Sequence, residues 1–477
     1  MSGLFLPESF SSNEPPERIF GWETEYDIRT LEGRNQLALD NIEPWLDMWF
    51  NEDNLAALGL SAVALNNKRY QWLSNGAYVY PDVGHLEYCT PESLGPYEAT
   101  LAAHAGNIVL ARLLSLSGSQ EQVFRRSATV NMATGDIVTK GLHRNFCIPD
   151  YITGGNFAPL ETLAATQWYA WGGIATKQGF DIAPKARDIG LNVTSSLGNR
   201  TARGNKPFAI IRSAQGGGDA DTNLKEHGLG RYEDRTGTPS SPWSDFMGLA
   251  TFSLMLRVRE HPQFKDLNDR LSNLELWDSV KVFQAAAQDM QMKNIYSLRN
   301  DRKMSVPGIQ EEMASIAMDL SERVKLSESE LFAIHLWRVT NAKLRDVLGG
   351  DADLRELKHI GWVGKVVCLK AKFGEEAVAA GAPGVLKACL NWDRVGPQGA
   401  GQIFYEKRGP EVAKATEAEK YVANPPEGTR ARARADFVSQ HHIGEVKVTS
   451  MRWPFVKIKG DNITETINLH PYQTVAA

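Results

Sequence analysis

The sequence predicts an α+β protein, on three observations. Short segments of bulky and charged residues in alternation crowd the stretch before residue 240. Apolar residues at helical spacing dominate from "SDFMGLATFSLMLRV" onward. A strand-like tail, "GEVKVTSMRWPFVKIKG", follows the Pro/Gly-rich turn "ANPPEGTR". Segregated strands and helices are the pattern of a mixed fold in which helices cover one side of an antiparallel sheet.

Taken in order, "RIFGWETEYDIRT" alternates with period two and reads as a strand carrying Glu23 and Glu25 on one face. A helical stretch through "IEPWLDMWF" follows, and "GAYVYPDVGHLEYCTPES" reads as a strand pair or hairpin. "YEATLAAHAGNIVLARLLSL" has the apolar spacing of a helix packed on a sheet. "LHRNFCIP" and "KPFAIIRSA" are two further strands, and "GRYEDRTGTPSSPW" a third that ends in a turn at Gly237 and Pro239. In "SESELFAIHLWRVTNAKLRDVL", Ser327 and Ser329 offer N-caps to a periodic run. Trp243, Trp337, Trp362 and Trp392 read as core residues. The expected division is a large domain over residues 1–400 and a small C-terminal one over 401–477.

Composition narrows the function classes. The 477 residues are 42% hydrophobic and 23% charged with a formal net charge of -5, the balance of a globular protein. No wide basic face is implied, so nucleic acid is not an expected partner. Cys89, Cys147, Cys368 and Cys389 lack metal-knot or disulfide spacing. With no leader pattern and no long uninterrupted apolar run, the expected location is the cytoplasm and no membrane partner is implied. "QGGGDADTN" reads as a loop without the context of a phosphate-binding motif.

Chemistry-bearing residues recur strand by strand: Glu23 and Glu25, Asp82 and Glu87, His143 and Asn145, Arg212, then Arg231, Glu233 and Arg235. One Glu-x-Glu pair alone fits an exposed strand face. Carboxylates and a neutral imidazole in series suit Mg²⁺ or Mn²⁺, and arginines supply planar donors for phosphate oxygens.

Residues "IFGWETEYDI" and "SNGAYVYPDVGHLEYCTPES" resemble the first two motifs of the Pup ligase and depupylase family, within the glutamine synthetase superfamily of carboxylate-amine ligases. The similarity continues at "GLHRNF", "KPFAIIRS", "HIGWVGKVVCLK", "NWDRVGPQGAGQIFYEKRG" and the basic "PPEGTRARARADFV". It implies a curved antiparallel sheet cradle packed against helices, with ATP and Mg²⁺ bound in it. By resemblance, Glu23, Glu25 and Glu87 fall on metal carboxylates, and Asp82 on the aspartate that acts as base or nucleophile. His143 and Asn145 match a His-x-Asn pair beside metal and nucleotide, with Arg144 where the family carries Glu. Arg212 matches a phosphate-side arginine, and Arg432 and Arg434 lie in the basic segment near nucleotide or partner. Arg231, Glu233 and Arg235 resemble the Arg-x-Glu-x-Arg of glutamine synthetase, where the glutamate binds metal and the second arginine meets the transferring phosphate.

The resemblance implies an ATP-dependent ligase that activates a glutamate-type carboxylate for attack by an amine, with a Pup-like small protein and a lysine-bearing acceptor as partners. Two alternatives stay open: a depupylase-type amide hydrolase using the same aspartate, and a nucleotide-bound scaffold without catalysis. "DVGHLEY" has the spacing of the depupylase form, whereas the segment between "YDIRT" and "SNGAY" lacks room for the long depupylase loop.

Overall fold

The computed structural model describes residues 18–29, 43–65, 70–82, 85–119, 121–125, 128–130, 137–193, 206–212, 228–238, 240–408, 414–441, 447–452, 455–459 and 464–468. The "QGGGDADTN" loop and the turn residue Pro239 lie outside them.

A ten-stranded sheet organises the chain. Its main path uses β1 (Ile19–Arg29), β2 (Ala62–Leu65), β3 (Tyr70–Leu73), β4 (Tyr78–Asp82), β5 (His85–Cys89), β6 (Leu142–Pro149), β7 (Ala209–Arg212) and β8 (Leu229–Asp234). They run β7-β8-β6-β1-β5-β4-β3-β2, and every adjacent pair is antiparallel. Ser93–Leu94 and Gln122–Phe124 also pair with β1. The strands expected at "RIFGWETEYDIRT", "LHRNFCIP" and "KPFAIIRSA" are all present, and "GAYVYPDVGHLEYC" forms the hairpin β4–β5. The hairpin β2–β3 was not anticipated.

Alternation gives this sheet two unlike faces. On β1, Phe20, Trp22, Tyr26 and Ile28 enter the core, while Glu23, Glu25 and Asp27 point the other way, as period two requires. The core face is covered by α1 (Gly95–Leu116) and α2 (Pro242–Glu260). Phe146 of β6 stacks on Phe252 of α2 at 5.4 Å, and Tyr26 donates to Asn107 of α1 at 2.8 Å. Gly106 lets α1 lie against the sheet: a Cβ there would stand 2.7 Å from the Tyr88 ring. α1 is apolar enough by length and composition to cross a membrane, but 61% of its most apolar window is buried, as in a core helix.

α3 (Glu328–Gly349) opens on Ser327 with a reciprocal capping box to Glu330, which satisfies two end donors at once. Ser329, the other expected cap, is already inside that helix. Trp243, Trp337 and Trp362 are buried as expected; Trp392 is only partly so and packs on Phe404 and Tyr405.

The expected boundary at residue 400 does not coincide with a break in packing. Asn75, in the β3–β4 turn, donates to the carbonyls of Tyr421 and Val422 at 3.3 and 3.0 Å. Tyr97 of α1 donates to Glu417 at 2.5 Å, and Tyr421 to Glu98 at 2.6 Å. α4 (Arg430–His441) lies across β2 and β3. Strands Lys447–Arg452, Phe455–Lys459 and Thr464–Asn468 form a three-stranded sheet of their own.

Candidate active site

Register brings the polar residues together. Glu23 stands opposite His143 on β6 and Cys89 on β5, Glu25 opposite Glu87, and Asn145 opposite Glu233. Because cross-strand partners share a face, separate sequence motifs become one surface.

Two groups of ligand atoms result. Glu23, His143 and Glu233 each place one ligand atom within 4.8 Å of the others, and Glu25, Asp82 and Glu87 do the same. A third set, Glu23, Glu87 and Cys89, links them. His143 Nδ1 is 3.0 Å from Glu23 Oε2 and 3.8 Å from Glu233 Oε1. Arg231 Nη2 lies 3.2 Å from Glu23 and 2.6 Å from Glu233, and Arg235 Nη1 is 3.7 Å from Glu233. Arg231 and Glu233 of β8, with Arg235 just past its end, therefore line the face that carries Glu23 of β1, and Glu233 is buried rather than turned to solvent.

The electrostatics are those of crowded carboxylates. Burial, reinforced by the charges of Glu23, Glu25 and Asp82, pushes the Glu87 carboxyl well above the usual range. Burial and the Glu25 charge raise Asp82 as well. For Glu25, burial is outweighed by Lys185, His143 and His85 and by the Gly141 N–H, which hold the carboxyl at about 2. For Glu23, burial is outweighed by Arg231 and by the bond to His143, and its carboxyl also falls. Like charges packed this closely are relieved by a cation. His143 Nε2 and Asn145 Oδ1 are buried without a hydrogen-bond partner among the described residues, in a structure where such groups normally have one. Carboxylate oxygens with one imidazole fit a hard divalent ion.

Some expected site residues stand elsewhere. Arg212 is on β7 in register with Arg231, while its side chain lies outside the described residues. Arg434 is fully buried, paired with Glu92 and 5.2 Å from the centre of the Trp72 ring. Trp72 stacks on Tyr78 at 4.4 Å, and Tyr78 is the cross-strand partner of Cys89. Arg434 is thereby on the site's face of the sheet, beyond the carboxylates. Arg432 is not: successive helical residues turn by about 100°, so two positions along it leaves the buried side and pairs with Glu427 at 2.9 Å and Asp436 at 3.2 Å on the exposed one.

Arg144 belongs to the opposite face. It donates to Asp234 at 2.6 Å and Gln167 at 2.8 Å and lies 5.0 Å from the Phe252 ring, so it anchors β6 to the core and α2. Its difference from the family residue does not alter the ligand groups.

Sequence reasoning missed Cys89, Tyr80 and Lys185. The first two carried a signal, since each shares its strand's face with Asp82 or Glu87 by alternation. Lys185 carried none; it sits in the short turn Pro184–Arg187 and reaches the site only through folding.

The model of the family described as Pup-ligase protein matches residues 18–149 and 238–457. A Pup--protein ligase of Acidimicrobium ferrooxidans is 24% identical over 442 residues, covering 88% of each chain. One of Nocardioides sp. is 24% identical over 444 residues, covering 88% of this chain and 89% of its own. The solved complex of the prokaryotic ubiquitin-like protein Pup with its ligase PafA superposes with a TM-score of 0.74 at 17% identity, covering 97% of this chain and 89% of that one. PafA in complex with ADP gives 0.69 at 18% identity, over 86% and 88%. With more than half of its length matched by the family model, this chain belongs to the Pup-ligase protein family.

Proposed function

We propose that this chain is an ATP-dependent carboxylate-amine ligase that joins a glutamate-type carboxylate of a Pup-like small protein to an amine, typically a protein lysine. The observation that carries the reading is the meeting of Asp82, Glu25 and Glu87 in one ligand set beside that of Glu23, His143 and Glu233. The family and its ligase members support the same activity.

Amide formation from a carboxylate is uphill in water, so the carboxylate must first be activated. The γ-phosphoryl group of ATP passes to a carboxylate oxygen, giving an acyl phosphate and ADP. The amine nitrogen then attacks the carbonyl carbon and inorganic phosphate leaves. When bound, Mg²⁺ neutralises phosphate charge and orients the nucleotide. Glu23, Glu25, Glu87, Glu233 and His143 are the residues that would hold it. Arg231 and Arg235, with Arg212, offer guanidinium donors to phosphate oxygens. Arg434 and the Trp72–Tyr78 stack flank the side where a nucleotide would extend. Asp82 is less buried than Glu87 and lies at the end of β4, where it can take the proton of an incoming ammonium. Its raised affinity for protons suits that exchange.

The test is stoichiometry. The chain, ATP, Mg²⁺, a Pup-like peptide ending in glutamate and a lysine-bearing acceptor should yield one ADP for each new amide. Cleavage of a preformed isopeptide at constant ATP would replace the ligase reading with the amide hydrolase; neither reaction, with nucleotide bound, would leave the scaffold.

A further inference from the structure

The peptide unit joining Lys140 to Gly141 is held at both ends. Its carbonyl oxygen accepts a hydrogen bond from Lys185 Nζ at 2.9 Å, and its N–H donates to Glu25 Oε2 at 2.6 Å. The Glu25 N–H donates back to the Gly141 carbonyl at 3.0 Å. Lys185 is fully buried, and among the described residues this carbonyl is its one hydrogen-bond acceptor. A buried amine is not placed in such a position without a hydrogen-bond partner. Here it polarises the peptide, and a polarised N–H binds a carboxylate more strongly.

Gly141 leaves room for nothing else. A Cβ at that position would stand 2.5 Å from Glu25 Oε1 and 2.8 Å from His143 Nε2, one member of each ligand group. We propose that Gly141 and Lys185 are positioning residues: Lys185, acting through the Lys140–Gly141 peptide, fixes the Glu25 carboxylate where a divalent cation needs it. This rests on the reading that the carboxylate groups hold such a cation. Partners behind a metal ligand commonly govern affinity by about 10–100-fold.

The test uses Mn²⁺ binding to the full chain, followed by electron paramagnetic resonance without nucleotide. Gly141→Ala obliges only side-chain ends to move, so the fold should persist, as a thermal melt would check. Its Kd for Mn²⁺ should rise about tenfold or more. Lys185→Met, which keeps length and removes the donor to the Lys140 carbonyl, should weaken binding in the same direction. In a Glu25→Gln background both substitutions should cost much less, because residues acting through one shared group are not additive. Unchanged Mn²⁺ affinity in the folded Gly141→Ala and Lys185→Met variants would overturn the inference, as would equal losses with and without Glu25. Failure of the unsubstituted chain to bind Mn²⁺ would instead remove the metal reading on which it stands.

Discussion

Asp82 closes β4, and its side chain meets Glu25 and Glu87 there. Asp82→Asn keeps the shape and removes the proton acceptor; ATP affinity should stay within about twofold while turnover is lost. Equilibrium nucleotide binding and single-turnover amide formation, measured on the same sample, separate the two. Arg235 tests phosphate handling. It leans on Glu233 from 3.7 Å, and its Nε is buried without a partner among the described residues. Arg235→Ala should lower turnover by roughly 10³-fold while the melting temperature moves little. A variant of full activity would remove Arg235 from phosphate handling.

Secondary-structure elements decide which arginines of the basic segment matter. Arg430 and Arg434 lie one turn apart on α4 and both meet Glu92, whereas Arg432 points outward. Arg434→Met leaves Glu92 with Arg430 as its remaining charged partner and removes charge-assisted hydrogen bonds, so it should cost about 2 kcal/mol. Arg432→Ala, in water and screened, should change stability by no more than about 0.5 kcal/mol. Urea titrations of both variants check this. β4 and β5 teach the same lesson from the other side. The sequence read the pair as a hairpin, and antiparallel pairing with β1 set Glu87 opposite Glu25.

For the whole molecule, acid stability should follow carboxylates paired far from the ligand groups. Asp245 on α2 is buried; burial alone would raise its carboxyl, but Arg125 at 2.7 Å and His104 at 3.1 Å hold it below its ordinary range. A group with a depressed folded pKa contributes stability above its unfolded value and loses it as pH falls through the folded one. Part of the folding free energy should therefore disappear below about pH 4. Asp245→Asn should be less stable near neutrality, with Arg125 left unpaired, yet should lose less on acidification. Urea midpoints across a pH series read both effects.

The sequence by itself determined the class of fold, most strands of the sheet and the residue types of the site, because alternation and helical periodicity are local and each motif sits within one strand. It could also assign a face within a strand, which is why Glu23 with Glu25, and Arg231 with Glu233 and Arg235, were legible as sets. Only the tertiary structure decided which sets meet. Cross-strand register made neighbours of Glu25 and Glu87, and of Asn145 and Glu233. It sent Arg144 to the core face, tied Tyr421 and Arg434 to the body, and brought Lys185 to the peptide behind Glu25. Those outcomes depend on long-range packing and on the cost of burying charge without a partner, which no local pattern in the chain encodes.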